Sequence, residues 1–177
     1  RSTHTAMAAR PFRVLFVCTG NTCRSPMAEG ILRKLVSELS GGDAHIEAES
    51  AGTMGLTGMP ATDLAIAVAS EYGVDLGAHR SLALTPALLE EADLVLTMAA
   101  EHYEVCQNLG KPAAQLFMLR SFPHPARDPR ATSIPDPIGG DRGRYERVFF
   151  EIDEAIRRGF PSILKRAGVA SNHRSSP

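Results

Sequence analysis

Three cysteines in 177 residues are too few, and odd in number, to build a disulfide framework, which points to a reducing compartment. Charge is also in short supply: 20 acidic against 19 basic residues leave a net charge of −1, with no electrostatic case for nucleic acid or an anionic membrane. No apolar run approaches the length of a membrane span, and Arg1 to Arg10 carries no signal-peptide core. No cluster of His, Cys and carboxylates shows metal-ligand spacing. These absences describe a cytoplasmic protein without metal or cofactor, expected to act as a monomer. The length suits one domain with a real core. Residues 1–11 read as a disordered leader in which Met7 is a candidate natural start, 12–166 as the domain, and 167–177 as a polar, disordered tail.

What is present is organised around Val14 to Glu29, VLFVCTGNTCRSPMAE. Leu15, Phe16 and Val17 form a continuous apolar run, the pattern of a strand covered on both faces. Ser25-Pro26 is a helix-start signal, with Ser as N-cap, Pro at the first position and Glu29 in the first turns. Between strand and helix, Gly20 and Asn21 tolerate positive φ, so the loop can curl until its N–H groups point inward. Inward amides from Thr19 through Ser25 (with Thr22 and Cys23 between) and a helix N-terminus make an anion cradle. Cys18 sits at its mouth, and Arg24 returns at the far side, where a guanidinium grips a phosphate with two hydrogen bonds. Dipoles and cation together favour the thiolate, a nucleophile aimed at phosphorus. Ser25 can donate a hydrogen bond to the sulfur. A lone Cys at a strand end is commonly a small buried hydrophobe. The joint occurrence of strand, Cys, Gly-Asn, Arg, Ser-Pro and helix outweighs that reading.

Down the chain, strand and helix patterns alternate. Met27 to Leu39 is a helix stopped by Gly41-Gly42, and Ile46 to Ser50 a second strand followed by a loop of small residues. Asp63 to Tyr72 is a helix, Ala92 to Met98 a third strand, Glu101 to Leu109 a helix, and Gln115 to Leu119 a fourth strand. Lone Cys106 reads as packing. Such alternation predicts βαβ units, hence an α/β three-layer sandwich with a parallel sheet between helices. Ser121 to Arg144 is dense in Pro, Gly and charge and reads as a long functional loop. It holds two Asp-Pro pairs, at Asp128 and Asp136, and spacing alone does not choose between them. Arg144 to Lys165 is the last helix, with Gly159-Phe160-Pro161 expected to bend it.

The stretch CTGNTCRSPMAEG resembles the active-site signature of the low-molecular-weight protein tyrosine phosphatase family. The resemblance runs from about Phe12 to about Arg166. It implies a strand order 2-1-3-4 and a domain 12–166 that is catalytic. It implies that Asn21, Ser25, Ser50 and His79 form a hydrogen-bond network holding Asn21 in a left-handed conformation. It selects Asp136 as the proton donor, because PDPIGG before a long helix matches the family's acid loop. The reaction implied is hydrolysis of phosphorylated protein side chains through a phosphocysteine intermediate. A Cys18–Cys23 disulfide under peroxide, and so redox regulation, is implied as well.

Within the family, Thr22 resembles the protein arginine phosphatases, whereas tyrosine-specific members typically carry Ile there. Ile138-Gly139-Gly140 gives a thin wall where tyrosine-specific relatives place aromatics, and Met54 stands on the opposite wall. Thr22, Met54 and Ile138 are therefore the specificity candidates, with phosphoarginine preferred to phosphotyrosine. An arsenate reductase of this fold needs two further cysteines in a later loop, and Cys106 has no partner. An inactive phosphate-binding adaptor could spare Asp136. A nucleotide-binding P-loop would close with Gly-Lys-Ser or Gly-Lys-Thr, which Arg24-Ser25 is not.

Overall fold

The first strand, β1 (Phe12–Cys18), is the axis of the molecule. Val14 through Val17 have no exposed surface, because parallel neighbours flank the strand and helices cover both of its faces. In the computed structural model, which describes residues 10–39 and 45–169, β2 (Ile46–Gly52) pairs along all of β1, from Phe12–Ile46 to Cys18–Gly52. On the other side β3 (Leu94–Thr97) pairs from Val14–Leu94 to Val17–Thr97, and β4 (Leu116–Met118) follows β3. The four-stranded parallel sheet has the order β2-β1-β3-β4, that is 2-1-3-4.

Alternation along β1 sends Val14 and Phe16 to one face and Leu15 and Val17 to the other. The first pair joins a core with Met27, Leu32, Val68, Val148 and Ile152, brought by α1 (Arg24–Ser37), α2 (Asp63–Glu71) and α5 (Arg142–Arg166). The second pair packs with Leu89, Val95 and Cys106 under α3 (Pro86–Glu91) and α4 (Ala100–Asn108). This is a three-layer sandwich. No helix among the described residues is long and apolar enough to cross a membrane.

Several boundaries differ from the sequence reading. Helix α1 begins at Arg24 with Cys23 as N-cap and no side-chain cap. Ser25 therefore lies inside the first turn, its hydroxyl used elsewhere, and Pro26 stands at the third helical position and not the first. The Gly41-Gly42 stop lies outside the described residues. Helix α3 was not anticipated; its signals are a Thr85 cap and Pro86 at the first position, before only one turn and a half of chain. Helix α5 runs through Pro161 to Arg166. Gly159 is explained by packing, since a Cβ there would stand 2.6 Å from the Phe122 ring. At the margins, Arg10 pairs with Asp93 at 2.7 Å and Ala167 and Val169 pack on the core. The rest of the expected leader and tail, 1–9 and 170–177, lies outside the described residues.

All four strands point the same way, so the loops after them share one edge, where open α/β sheets bind ligands. Two of these loops touch at Gly52. A Cβ on Gly52 would stand 2.5 Å from the Thr19 carbonyl oxygen and 3.0 Å from the Asn21 nitrogen, and backbone cannot step aside cheaply. Gly52→Ala is therefore expected to lower stability by about 3 kcal/mol, the upper end for overpacking. Gly143→Ala, whose Cβ would meet nothing closer than 3.7 Å, should cost nothing or stabilise by up to about 1 kcal/mol. Urea unfolding of both variants checks this; a silent Gly52→Ala contradicts the close approach.

Candidate active site

After β1 the chain turns through Thr19 to Cys23 into α1. The carbonyls of this loop are occupied on its outer side. Those of Cys18, Thr19 and Thr22 accept from the N–H groups of Thr53, Met54 and Thr62, and that of Asn21 meets His79 Nε2 at 2.8 Å. Among the described residues the N–H groups of Gly20 to Cys23 meet no protein acceptor, the condition for an anion cradle. The turn that achieves this is at Asn21, with φ 56° and no exposed surface. Of the two residues read as tolerating positive φ, Asn21 uses it and Gly20 does not; a Cβ on Gly20 would make only ordinary contacts with Thr22 Oγ1 and Leu56.

The Asn21 side chain fixes the direction of a buried hydrogen-bond chain. Its Oδ1 accepts from the Leu82 N–H at 2.8 Å, so Nδ2 is the donor end. Nδ2 donates to Ser25 Oγ at 2.8 Å and to Ser50 Oγ at 2.9 Å. Ser50 in turn donates to Glu29 Oε1 at 2.5 Å, and Glu29 is paired with Arg33 at 2.5 Å. With Asn21 donating to its oxygen, Ser25 has its own proton free for Cys18 Sγ, 2.8 Å away. The structure thus brings Ser25, Ser50 and His79 together around Asn21, and Ser25 joins them to Cys18.

Arg24 is 4% exposed at its side chain. Nη1 donates to the Ile134 carbonyl at 2.8 Å, and Nη2 stands 3.4 Å from both Thr19 Oγ1 and Asp136 Oδ2. Ile134 is itself buried and bonded through its N–H to the Met98 carbonyl at 2.8 Å. One apolar side chain thereby pins the polar loop over the cradle and delivers Asp136 to Arg24. Asp128 is exposed and closes its own turn, accepting from the Arg130 N–H at 3.2 Å. Of the two Asp-Pro pairs, the structure brings only Asp136 to the site.

Around the mouth, Met54 and Ile138 are exposed, at 61% and 59%, and Thr22 is half-buried. Leu56, which the sequence reading passed over, lies beside Gly20, its Cδ1 3.9 Å from where a Cβ on Gly20 would stand. Cys23 is a buried free thiol, its Sγ 3.3 Å from the Tyr145 hydroxyl and 3.5 Å from Thr62 Oγ1. Burial is the main cause that pushes its pKa up. Burial likewise raises Cys106, to about 12.

His102 was also passed over. It has no exposed surface, lies in the first turn of α4, and places Nε2 2.8 Å from Thr19 Oγ1. Its Nδ1 accepts from the Ala99 N–H at 3.0 Å. A His at the helix start just beyond the carboxyl end of β3 was the available signal, since that edge is where ligand-binding residues gather.

The family model described as low molecular weight phosphotyrosine protein phosphatase matches residues 13–169. The protein-arginine-phosphatase of Bacillus subtilis (strain 168) is 34% identical over 146 residues, 82% of this chain and 92% of that one. The low molecular weight protein-tyrosine phosphatase A of Mycobacterium bovis is 37% identical over 147 residues, 82% of this chain and 88% of that one. A solved low molecular weight protein tyrosine phosphatase from T. tengcongensis superposes with a TM-score of 0.75 at 36% identity, covering 85% of this chain and 99% of that one.

Burial, helped by the Arg24 charge, lowers the His102 pKa from an ordinary 6.5 to about 4. Between those values the unfolded chain binds more protons than the folded one, so stability falls as pH drops through that window. Above about 6.5 the contribution of the neutral ring is intact. Urea unfolding at pH 7 and pH 4.5 is expected to show a larger acid loss for wild type than for His102→Gln. Equal losses would contradict the neutral, buried imidazole.

Proposed function

The chain belongs to the low molecular weight phosphotyrosine protein phosphatase family, and on that footing we propose that it hydrolyses phosphorylated protein side chains through a phosphocysteine at Cys18, with phosphoarginine as the preferred target. The Cys18 thiolate attacks phosphorus in line; the P–S bond forms as the P–N bond to the guanidino group breaks, and Asp136 gives its proton to the departing nitrogen. Asp136 then takes a proton from water, which attacks phosphorus, breaks the P–S bond and releases inorganic phosphate. Arg24 and the inward amides hold the three equatorial oxygens while charge spreads over them. The Ser25 hydroxyl stabilises the sulfur as nucleophile and as leaving group. What supports this reading most directly is Ser25 Oγ at 2.8 Å from Cys18 Sγ, with its proton free.

A reducing compartment such as the cytoplasm suits the three free thiols. It also suits Cys23 as a resolving partner for an oxidised Cys18. The arsenate reductase reading lacks support, because the one later cysteine, Cys106, is buried and pushed to a pKa of about 12.

The substrate class rests on Thr22. Thr is shorter and more polar than Ile, so it leaves room for a branched guanidino group and can hydrogen-bond near it. Asp136 serves a guanidinium twice, as proton donor and as counter-charge. The exposed side chains at the mouth, Met54, Leu56 and Ile138, are aliphatic and offer no ring to sandwich a phenyl group. Phosphotyrosine is the second reading, favoured by the 37% identity to the mycobacterial enzyme.

Asp136→Asn is expected to slow turnover by roughly 10² to 10⁴-fold, the usual range for general acid–base catalysis, and Asp128→Asn to change little. Stopped-flow or steady-state rates on one phosphopeptide decide it; a more damaging Asp128→Asn would move the acid to the other Asp-Pro pair.

The substrate experiment measures kcat/KM for phosphoarginine and phosphotyrosine peptides, with Cys18→Ser as the inactive blank. An unpaired buried polar group costs about 1–3 kcal/mol, or about one to two decades of discrimination. Wild type is expected to favour phosphoarginine and Thr22→Ile to reverse the preference. A wild-type preference for phosphotyrosine that Thr22→Ile leaves alone would make the chain a tyrosine phosphatase.

A further inference from the structure

We propose that His102 is a positioning residue of the phosphate cradle, which donates to Thr19 Oγ1 and thereby turns the Thr19 hydroxyl into a donor toward the phosphoryl group. The inference rests on the phosphatase reading above and adds two side chains to it.

The proton inventory carries the argument. The Ala99 N–H points at His102 Nδ1 from 3.0 Å. A backbone N–H can only donate, so Nδ1 holds a lone pair and a neutral ring keeps its proton on Nε2. Nε2–H then donates to Thr19 Oγ1 at 2.8 Å. Arg24 Nη2, also only a donor, stands 3.4 Å from the same oxygen. Both lone pairs of Thr19 Oγ1 therefore face donors, and its own proton is left over. Among the described residues no protein acceptor takes it. Thr19 follows the nucleophile directly, and the Nη2 it shares is the one facing Asp136. A phosphoryl oxygen gripped by Arg24 is then the acceptor for the Thr19 proton.

The opposite tautomer shows what is at stake. With the proton on Nδ1, Nε2 would accept from Thr19, and Thr19 would turn lone pairs toward a dianion. The imidazole thus decides whether Thr19 attracts or repels the substrate. Its burial keeps it neutral, since the Arg24 charge and the low polarity around it both oppose protonation.

The rival account is that His102 only caps α4 through Nδ1. Two amides separate the accounts. The nitrogen of a Gln side chain reaches the place of Nε2, whereas the oxygen of Asn reaches the place of Nδ1. His102→Gln keeps the contact to Thr19, and His102→Asn keeps the cap. With para-nitrophenyl phosphate as substrate and inorganic phosphate as competitive inhibitor, His102→Asn is expected to lose about tenfold in kcat/KM and to weaken phosphate inhibition by a similar factor, the scale of one net hydrogen bond. His102→Gln should stay within about threefold of wild type by the same argument. Thr19→Val should match His102→Asn, and the double variant should lose no more than either alone. Long-range proton–nitrogen correlation spectra of the wild-type protein should show the Nε2–H tautomer at pH 7. An active His102→Asn beside a crippled His102→Gln, losses that multiply in the double variant, or an Nδ1–H tautomer would each overturn the proposal. A wild-type protein that leaves the aryl phosphate intact would instead count against the phosphatase reading, and the tautomer would still decide the role of His102.

Discussion

The site depends on one backbone torsion, the left-handed turn at Asn21. It is the one non-glycine residue with positive φ among the described residues, a conformation that costs an L side chain of order 1 kcal/mol or more. The cost is met from four directions. His79 holds the Asn21 carbonyl, the Leu82 N–H holds Oδ1, and Ser25 and Ser50 share Nδ2. Asn suits the position because its side chain both tolerates φ near 56° and supplies donor and acceptor at once.

The second constraint is the loop of residues 120–141, whose polar composition hides two apolar anchors. Phe122 and Ile134 are fully buried. Phe122 fits against Gly159 of α5, and Ile134 hangs its N–H on the end of β3 while giving its carbonyl to Arg24. The segment that carries Asp136 is thereby fixed at both sheet and helix, and Arg24 and Asp136 meet at 3.4 Å.

Local signals were the legible part of the fold. The apolar run of β1, the alternation of strand and helix, and the cluster from Cys18 to Pro26 each depend on neighbours within a few residues. What escaped depends on contacts made after folding. Ser25 reads as an N-cap by propensity, yet Asn21 and Cys18 claim its hydroxyl from inside the first turn. Gly20 and Asn21 are equally able to turn left, and only the partners of Asn21 decide between them. His102 lies 83 residues from Thr19, and Ile134 110 from Arg24; no spacing rule reaches that far. Asp128 and Asp136 look alike in composition, and burial of Ile134 two residues before Asp136 separates them.

The hydrogen bond between Arg24 and the Ile134 carbonyl also bears on the order in which the protein comes into being. Cys18 and the loop after it come early in the domain, but the groups packed around them arrive late: Leu82 and His79 after a further helix, Ile134 and Asp136 after all four strands. A nascent chain stalled before residue 134 would carry Cys18 and Arg24 without the carbonyl that aims the guanidinium. The hydrogen bond that orients Arg24 is thus a property of the finished fold and not of the peptide that bears the signature. Vectorial synthesis delays that contact until nearly the whole domain has emerged.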